Sequence, residues 1–402
     1  MLYDPSAHEG LDDAPWDEER VLAALRTVVA DAERAYDPSG RWPLHPLDAG
    51  EDDDDWSGVA CGVYLGAAGM LWGIDRLVRA GAAATSIDLR AAGARLHEAY
   101  LARCHAPDEP MPSIWVGEAG VLLVAGLLAP DPTTADALLD VVRSNARHEA
   151  LEILWGAPGT MLAAREMHRR TGDERWEKAW SESAATVLAE WHTDEELGCR
   201  LWTQIILGRP DRGLGAVHGF AGNVLSLAVG SDLLPDKARA EVVAGATRTA
   251  VATAVVENGL ANWPTSVGRQ AGGAGTRTQW CHGAPGIVGA LSPLPREPEL
   301  DALLLAGGEL VWQAGPLVKG AGLCHGTAGN GLAFLSLFSR TGNEMWLDRA
   351  RSFAMHALAQ VERQRAAFGE GRFGLWTGDL GTALYAWQCI DGDPALPALS
   401  AW

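Results

Sequence analysis

No apolar stretch of this chain approaches the length of a membrane span, and no basic, apolar leader opens it; the first residues, MLYDPSAHEGLDDAPWDEE, are acidic. Membrane insertion is not expected, and the cytoplasm is the expected location. Cationic residues are also in short supply. Lysine and arginine number 32 against 52 aspartates and glutamates, a net charge of −20. Nucleic acid and anionic membrane surfaces both select for basic residues, so neither is expected as the main partner. The six cysteines (Cys61, Cys104, Cys199, Cys281, Cys324 and Cys389) are too few and too scattered for a disulfide framework, and reduced thiols are expected. Alternating runs long enough for a central sheet are missing as well, although short strands could hide in loops. What is left is a globular chain of 402 residues with ample apolar content for a sizeable core.

The feature that is present is a repeat. Residues 1–55 form an acidic N-terminal segment, partly helical through the amphipathic stretch from Glu18 to Tyr36 and ending in EDDDD at 51–55, which reads as a solvated loop. From Trp56 a pattern recurs: aromatic or apolar residues, Gly-x-x-Gly, then an apolar stretch. Its first glycines are Gly66, Gly117, Gly156, Gly219, Gly283, Gly326 and Gly378, from 39 to 64 residues apart, the spacing of a repeat architecture. Polar amphipathic stretches lie between, such as TGDERWEKAWSESAATVLAEW from 171 and TGNEMWLDRARSFAMHALAQVE from 341. Asp173 and Asn343 occupy equivalent N-cap positions ahead of Trp176 and Trp346. Each repeat therefore predicts two helices, one apolar all round and buried, one polar on its outer face. The expected class is all-α. A glycine at each helix start permits a tight turn and close helix approach, and leaves amides free to face a ligand. Converging N-termini would carry positive partial charge suited to an anion, while at Gly66, Gly117 and Gly378 packing is the readier explanation.

Two of the motifs carry soft metal ligands. WCHGAPG at 280–286 offers Cys281 and His282, and KGAGLCHGTAGNG at 319–331 offers Cys324 and His325. Zinc favours four tetrahedral ligands drawn from thiolate and imidazole, and a catalytic zinc takes three from protein and leaves one position for water or substrate. The two Cys-His pairs could supply three or four. They lie 43 residues apart and contain no Cys-x-x-Cys, which argues against a zinc finger.

With VHGFAGN upstream, WCHGAPG and LCHGTAGNG resemble the lanthionine synthetase C-like family, from about Gly58 to the C-terminus. The resemblance implies an α/α toroid of seven inner and seven outer helices in one domain, residues 56–402. It implies Cys281, Cys324 and His325 as zinc ligands and His218 as the catalytic histidine. ILWGAPG and VWQAGPLVKGAGLCHG are closest to the eukaryotic branch, in which a lysine at the position of Lys319 contacts glutathione. Glu152 stands where dedicated cyclases carry an aspartate, and it could orient His218 or cap a helix. Arg277 matches an arginine of the cyclases. The loop FGEGRFG is shorter than its eukaryotic counterpart, with Arg372 as its one candidate for substrate binding.

The family reaction is Michael addition of a thiol to dehydroalanine or dehydrobutyrine. Two thiolate ligands keep a zinc-bound sulfur nucleophilic, and zinc strips the thiol proton near neutral pH. His218 is the natural acid for the α-carbon, and Arg277 could stabilise the enolate. The expected partners are a dehydrated peptide or protein and a thiol, either a peptide cysteine or a low-molecular-weight thiol such as glutathione. The alternative is a non-catalytic zinc protein that binds a peptide or small molecule as an adaptor. His282 is either a partner of a ligand or a polar neighbour, and the remaining histidines are expected mostly at the surface.

Overall fold

The computed structural model describes residues 2–48, 59–103, 110–268 and 276–402. The EDDDD run, Cys104 and His105 fall outside the described residues. Helices alternate between two layers. The chain begins with α1 (Glu18–Ala35), α2 (Ala67–Arg79), α3 (Leu89–Leu101), α4 (Glu118–Leu128) and α5 (Pro132–Asn145). It continues through α6 (Ala157–Thr171), α7 (Glu174–Ala189), α8 (Phe220–Val229), α9 (Asp236–Thr253) and α10 (Ala284–Leu291). It closes with α11 (Pro298–Ala314), α12 (Thr327–Thr341), α13 (Glu344–Phe368) and α14 (Asp379–Asp391).

The even-numbered helices are the glycine-motif helices. Each packs on the next, and α14 packs back on α2, so they close a ring. The odd-numbered helices lie outside it: α3 on α4, α5 on α4 and α6, α7 on α6, α11 on α10 and α12, α13 on α12 and α14. The seventh outer helix is α1, which buries Val21, Leu25, Val28, Val29 and Ala32 and packs on α14 and α13. The architecture is an α/α toroid of seven inner and seven outer helices. Among the described residues no helix is long and apolar enough to cross a membrane. The chain ahead of α1 is also held, since Glu9 donates its amide to Pro316 and Val318 donates to Ala7.

The sequence logic of the layers is visible residue by residue. In α4 and α8 nearly every side chain is buried. Asp173 and Asn343 cap α7 and α13 by accepting from Arg175 and Met345, with Trp176 and Trp346 buried beneath. Among the described residues strand is confined to three antiparallel hairpins: β1 (His192–Asp194) with β2 (Cys199–Leu201), β3 (Gln204–Ile206) with β4 (Arg209–Asp211), and β5 (Val255–Glu257) with β6 (Leu260–Asn262). Two histidines depart from the surface expectation. His45 is buried, and so is His356, whose two ring nitrogens meet Glu9 and Asp12.

The second glycine of every motif answers to one contact. A Cβ at Gly69, Gly120, Gly159, Gly222, Gly286, Gly329 or Gly381 would lie 1.7–2.4 Å from the carbonyl oxygen six residues earlier, closer than any real side chain stands. The inner helices thus begin pressed against their own entry loops. Those loops also use the helix amides: Glu118, Phe220, Thr327 and Asp379 donate to carbonyls seven residues upstream. The expectation of amides left free for a ligand is corrected there.

Gly120→Ala drives a methyl into the Ile114 carbonyl, 1.9 Å away, and should cost about 1–3 kcal/mol. Gly126→Ala in the same helix meets nothing closer than 3.9 Å and should instead add about 0.5–1 kcal/mol through helix propensity. Urea denaturation of the two variants checks this; equal effects would remove the packing role assigned to the second glycine.

Candidate functional site

One register of the repeat supplies the chemistry. Three residues before each first glycine stands a fully buried core residue: Val63, Ile114, Ile153, Ala216, Trp280, Leu323 or Leu375. The two positions that follow, Tyr64-Leu65, Trp115-Val116, Leu154-Trp155, Val217-His218, Cys281-His282, Cys324-His325 and Trp376-Thr377, face a cavity of about 640 Å³ at the N-terminal ends of the inner helices, and all but Trp376 line it. Beneath it Trp376 packs between Trp115 and Trp280, with ring centroids 4.3 and 4.8 Å away.

A chain of backbone hydrogen bonds ties these loops together. Cys281 donates to Cys324, Cys324 to Trp376, Trp376 to Tyr64 and Tyr64 to Trp115, at 2.8–3.1 Å. Side chains that stand 43 residues apart in sequence are thereby set side by side. One ligand atom each from Cys281, Cys324 and His325 lies within 4.8 Å of the other two. Asn330 adds a strut from α12 to the Thr278 carbonyl at 2.9 Å, and Asn223 does the same from α8 to Leu151 at 3.1 Å. Gly283 closes the Cys281 loop with φ 99°, a conformation that requires glycine.

The electrostatics of the pair fit a cation. Both thiols are buried. The hydrogen bond from Cys324 holds Cys281 well below the usual thiol value, and the same contact with its developing charge pushes Cys324 well above it. Two buried thiolates in contact repel, and a divalent cation is what lets both ionise together. With an imidazole beside them, the three donors could hold a metal ion such as zinc. Each sulfur also receives a donor that the sequence reading did not single out. Gln279 Nε2 donates to Cys281 Sγ at 2.9 Å, and the Tyr64 phenol hydrogen-bonds Cys324. Burial and the adjacent sulfurs push Tyr64 well above its usual value, so it remains a donor. Its signal in sequence was positional: Tyr64 stands two residues before Gly66, as Cys281 and Cys324 do before Gly283 and Gly326.

His218 lines the same cavity as Cys281, Cys324 and His325, from the neighbouring loop. Its Nδ1 meets Glu152 Oε2 at 3.0 Å, its ring packs against Trp155 at 5.5 Å, and His282 lies 6.0 Å away and nearly parallel. Glu152 caps no helix, since the amides it accepts belong to the loop ahead of α6, whose N-cap is Gly156. It is fully buried and accepts the amides of Leu154 and Trp155 at 3.0 and 2.7 Å with the same carboxylate that meets His218. Burial alone would lower the His218 pKa, but the Glu152 hydrogen bond and charge outweigh it, and the net shift is upward. Among the described residues His282 Nδ1 is buried with no hydrogen-bond partner, and burial pushes its pKa down. Arg277 and Lys319 are exposed and line the same cavity, Lys319 near enough to Cys324 to favour its thiolate. Arg372 also lines it, but its guanidinium is held by Asp48.

A sequence model of the family described as "Lanthionine synthetase C-like protein" matches residues 133–400. The chain belongs to the lanthionine synthetase C-like family. Two curated relatives share short segments with it. The LanC-like protein GCL1 of Arabidopsis thaliana is 42% identical over 82 residues, 19% of this chain and 19% of that protein. Glutathione S-transferase LANCL1 of Danio rerio is 45% identical over 80 residues, again 19% of each. These alignments thus span about a fifth of either relative. Among solved structures, nisin cyclase superposes with a TM-score of 0.63 at 14% identity, covering 95% of this chain and 96% of that one. That likeness is one of fold, and it agrees with the toroid described above.

The His218–Glu152 contact has a measurable signature. Because its pKa is raised above about 6.5 in the folded protein, the pair contributes its full stability below that pH and loses it as pH climbs through the raised value. In Glu152→Gln the His218 titration should move down, read by NMR of the imidazole resonances, while one amide acceptor is retained. An unchanged His218 titration would mean that Glu152 only caps its loop.

Proposed function

We propose that this chain catalyses thioether formation, adding a thiol to a dehydroalanine or dehydrobutyrine residue of a peptide or protein. The observation that carries this reading is the convergence, in one cavity, of a Cys281–Cys324–His325 donor set with an acid held in register by a buried carboxylate. Zinc bound by those three residues would supply Lewis-acid activation of the thiol and keep its sulfur nucleophilic.

The chain's own side chains account for the rest. Apolar walls from Leu65, Val116, Leu154, Trp155 and Val217 exclude water and seat the alkene and its flanking peptide. As the sulfur–carbon bond forms at the β-carbon, the π pair moves onto the amide as an enolate. Protonated His218 then gives its proton to the α-carbon. Its elevated pKa keeps a larger fraction of the acid form near neutrality, and Glu152 holds the ring in place. Arg277, an exposed cation lining the same cavity, serves the enolate oxygen. Lys319, near Cys324, favours thiolate over thiol at the donor set, whatever group flanks the sulfur.

Two measurements separate this from a binding protein that merely carries metal. Elemental analysis should give about one zinc per chain, lost in Cys281→Ala, Cys324→Ala and His325→Ala. His218→Ala should keep the zinc and lose roughly 10²- to 10⁴-fold in the rate of thiol addition to a dehydroalanine peptide, followed by mass spectrometry. A His218→Ala protein with zinc and undiminished turnover removes histidine as the acid. Wild-type protein with zinc and no turnover on any dehydropeptide favours the adaptor reading.

A further inference from the structure

The cavity contains a resident carboxylate. Asp48 enters it from the N-terminal segment and meets Arg372 through both oxygens: Arg372 Nε donates to Oδ2 at 2.8 Å, and Nη2 donates to Oδ1. Both residues line the cavity, yet their side chains are only 10% and 4% exposed, so the pair is closed to solvent while it forms part of the wall. Such two-point pairing is the strongest geometry a guanidinium and a carboxylate can adopt.

Asp48 is delivered by an anchored turn. Its amide donates to the His45 carbonyl at 2.8 Å, and the buried His45 ring lies 4.6 Å from Phe368 at the end of α13. Trp42 is buried against α1 and donates to Ala32 at 2.6 Å. On the other side, the Arg372 amide donates to Asp379 at the first turn of α14, which fixes the loop carrying the guanidinium. Asp379 is itself buried. Burial pushes its pKa up to about 7 despite the nearby Arg372 charge.

We propose that Asp48 is a specificity-determining residue: by occupying Arg372 in cis it removes that cation as a partner for a substrate carboxylate. The cavity is thereby biased toward thiols whose flanking group at that wall is neutral, such as the amide-flanked cysteine of a peptide. The inference rests on the thiol-addition reading for its biological meaning, but the pairing itself can be tested by binding alone. A tethered carboxylate acts at an effective concentration of order millimolar or more, and here it is also preorganised, so a free acid at lower concentration does not displace it.

The probes are 3-mercaptopropionate and its amide, which differ only in the carboxylate, titrated calorimetrically into zinc-loaded full-length protein. In wild type the acid and the amide should bind within about threefold of each other. In Asp48→Asn the acid should gain roughly tenfold or more over the amide, and Asp48→Asn/Arg372→Met should lose that gain. The double variant leaves no buried charge uncompensated, so it supplies a folded comparison even if the single variant is unstable. An acid-to-amide ratio that is the same in wild type and Asp48→Asn overturns the proposal, as does a wild-type preference for the acid that vanishes in the double variant. The ratio of kcat/KM for the two thiols on a dehydroalanine peptide should follow the binding ratio. Absence of turnover with either thiol would count against the catalytic reading and leave the binding result to decide the role of Asp48.

Discussion

The hydrogen-bonded belt from Cys281 through Cys324, Trp376 and Tyr64 to Trp115 joins five loops that are distant in sequence, and the positions of the sulfurs depend on it. None of its bonds is worth more than about 1 kcal/mol net, but each fixes a backbone that cannot move without opening the ring of inner helices. The close approach at the second glycines makes the belt possible, because each inner helix must sit hard against the carbonyl of its own entry loop before the loops can reach one another. Site and fold are therefore one object. A toroid that failed to close between α14 and α2 would lose Trp376 and Tyr64 from the belt and with them the seat of Cys324.

That rigidity matters for a pair of buried thiols. In a pliable site, two sulfurs that both lose protons would move apart, whereas here they are fixed by backbone bonds and by donors from Gln279 and Tyr64. Charge repulsion that cannot relax geometrically is relieved by binding a cation. His218 obeys the same logic from the other side. Its cation would be costly among Trp155, Val217 and His282, and it is offset by Glu152, whose own burial is offset by two backbone amides.

Much of this was legible in the sequence because the features concerned are local and periodic. The recurrence of Gly-x-x-Gly marked the inner helices, the N-caps Asp173 and Asn343 marked two outer ones, and the Cys-His-Gly frames marked the donor set. Illegible features are those that depend on a partner far along the chain. Asp48 reads as one more acid in an acidic segment until Arg372, across the ring closure, is brought beside it. His45 and His356 look like surface histidines until Phe368, Glu9 and Asp12 surround them. Tyr64 lay between these cases: its register was present in the sequence, but its motif has no Cys or His, and only the closed ring shows that the same column faces the same cavity.

The repeat also explains how such a site can be varied. Within each motif the residue three before the first glycine is core, and the second glycine is fixed by a carbonyl contact. The glycine has no freedom, and the core position varies only among apolar side chains, from Ala216 to Trp280. The two residues just before the first glycine line the cavity in every motif except at Trp376, which packs beneath it, so apolar pairs such as Leu154-Trp155 and polar pairs such as Cys324-His325 occupy one backbone frame. The ring thus presents seven equivalent dipeptide slots around one space. A donor set is made by which slots carry cysteine and histidine, and the slot that holds His218 is the one next to a buried carboxylate. In this chain the cysteine slots are adjacent in the belt, and His218 sits one inner helix away, across from the sulfurs it would serve.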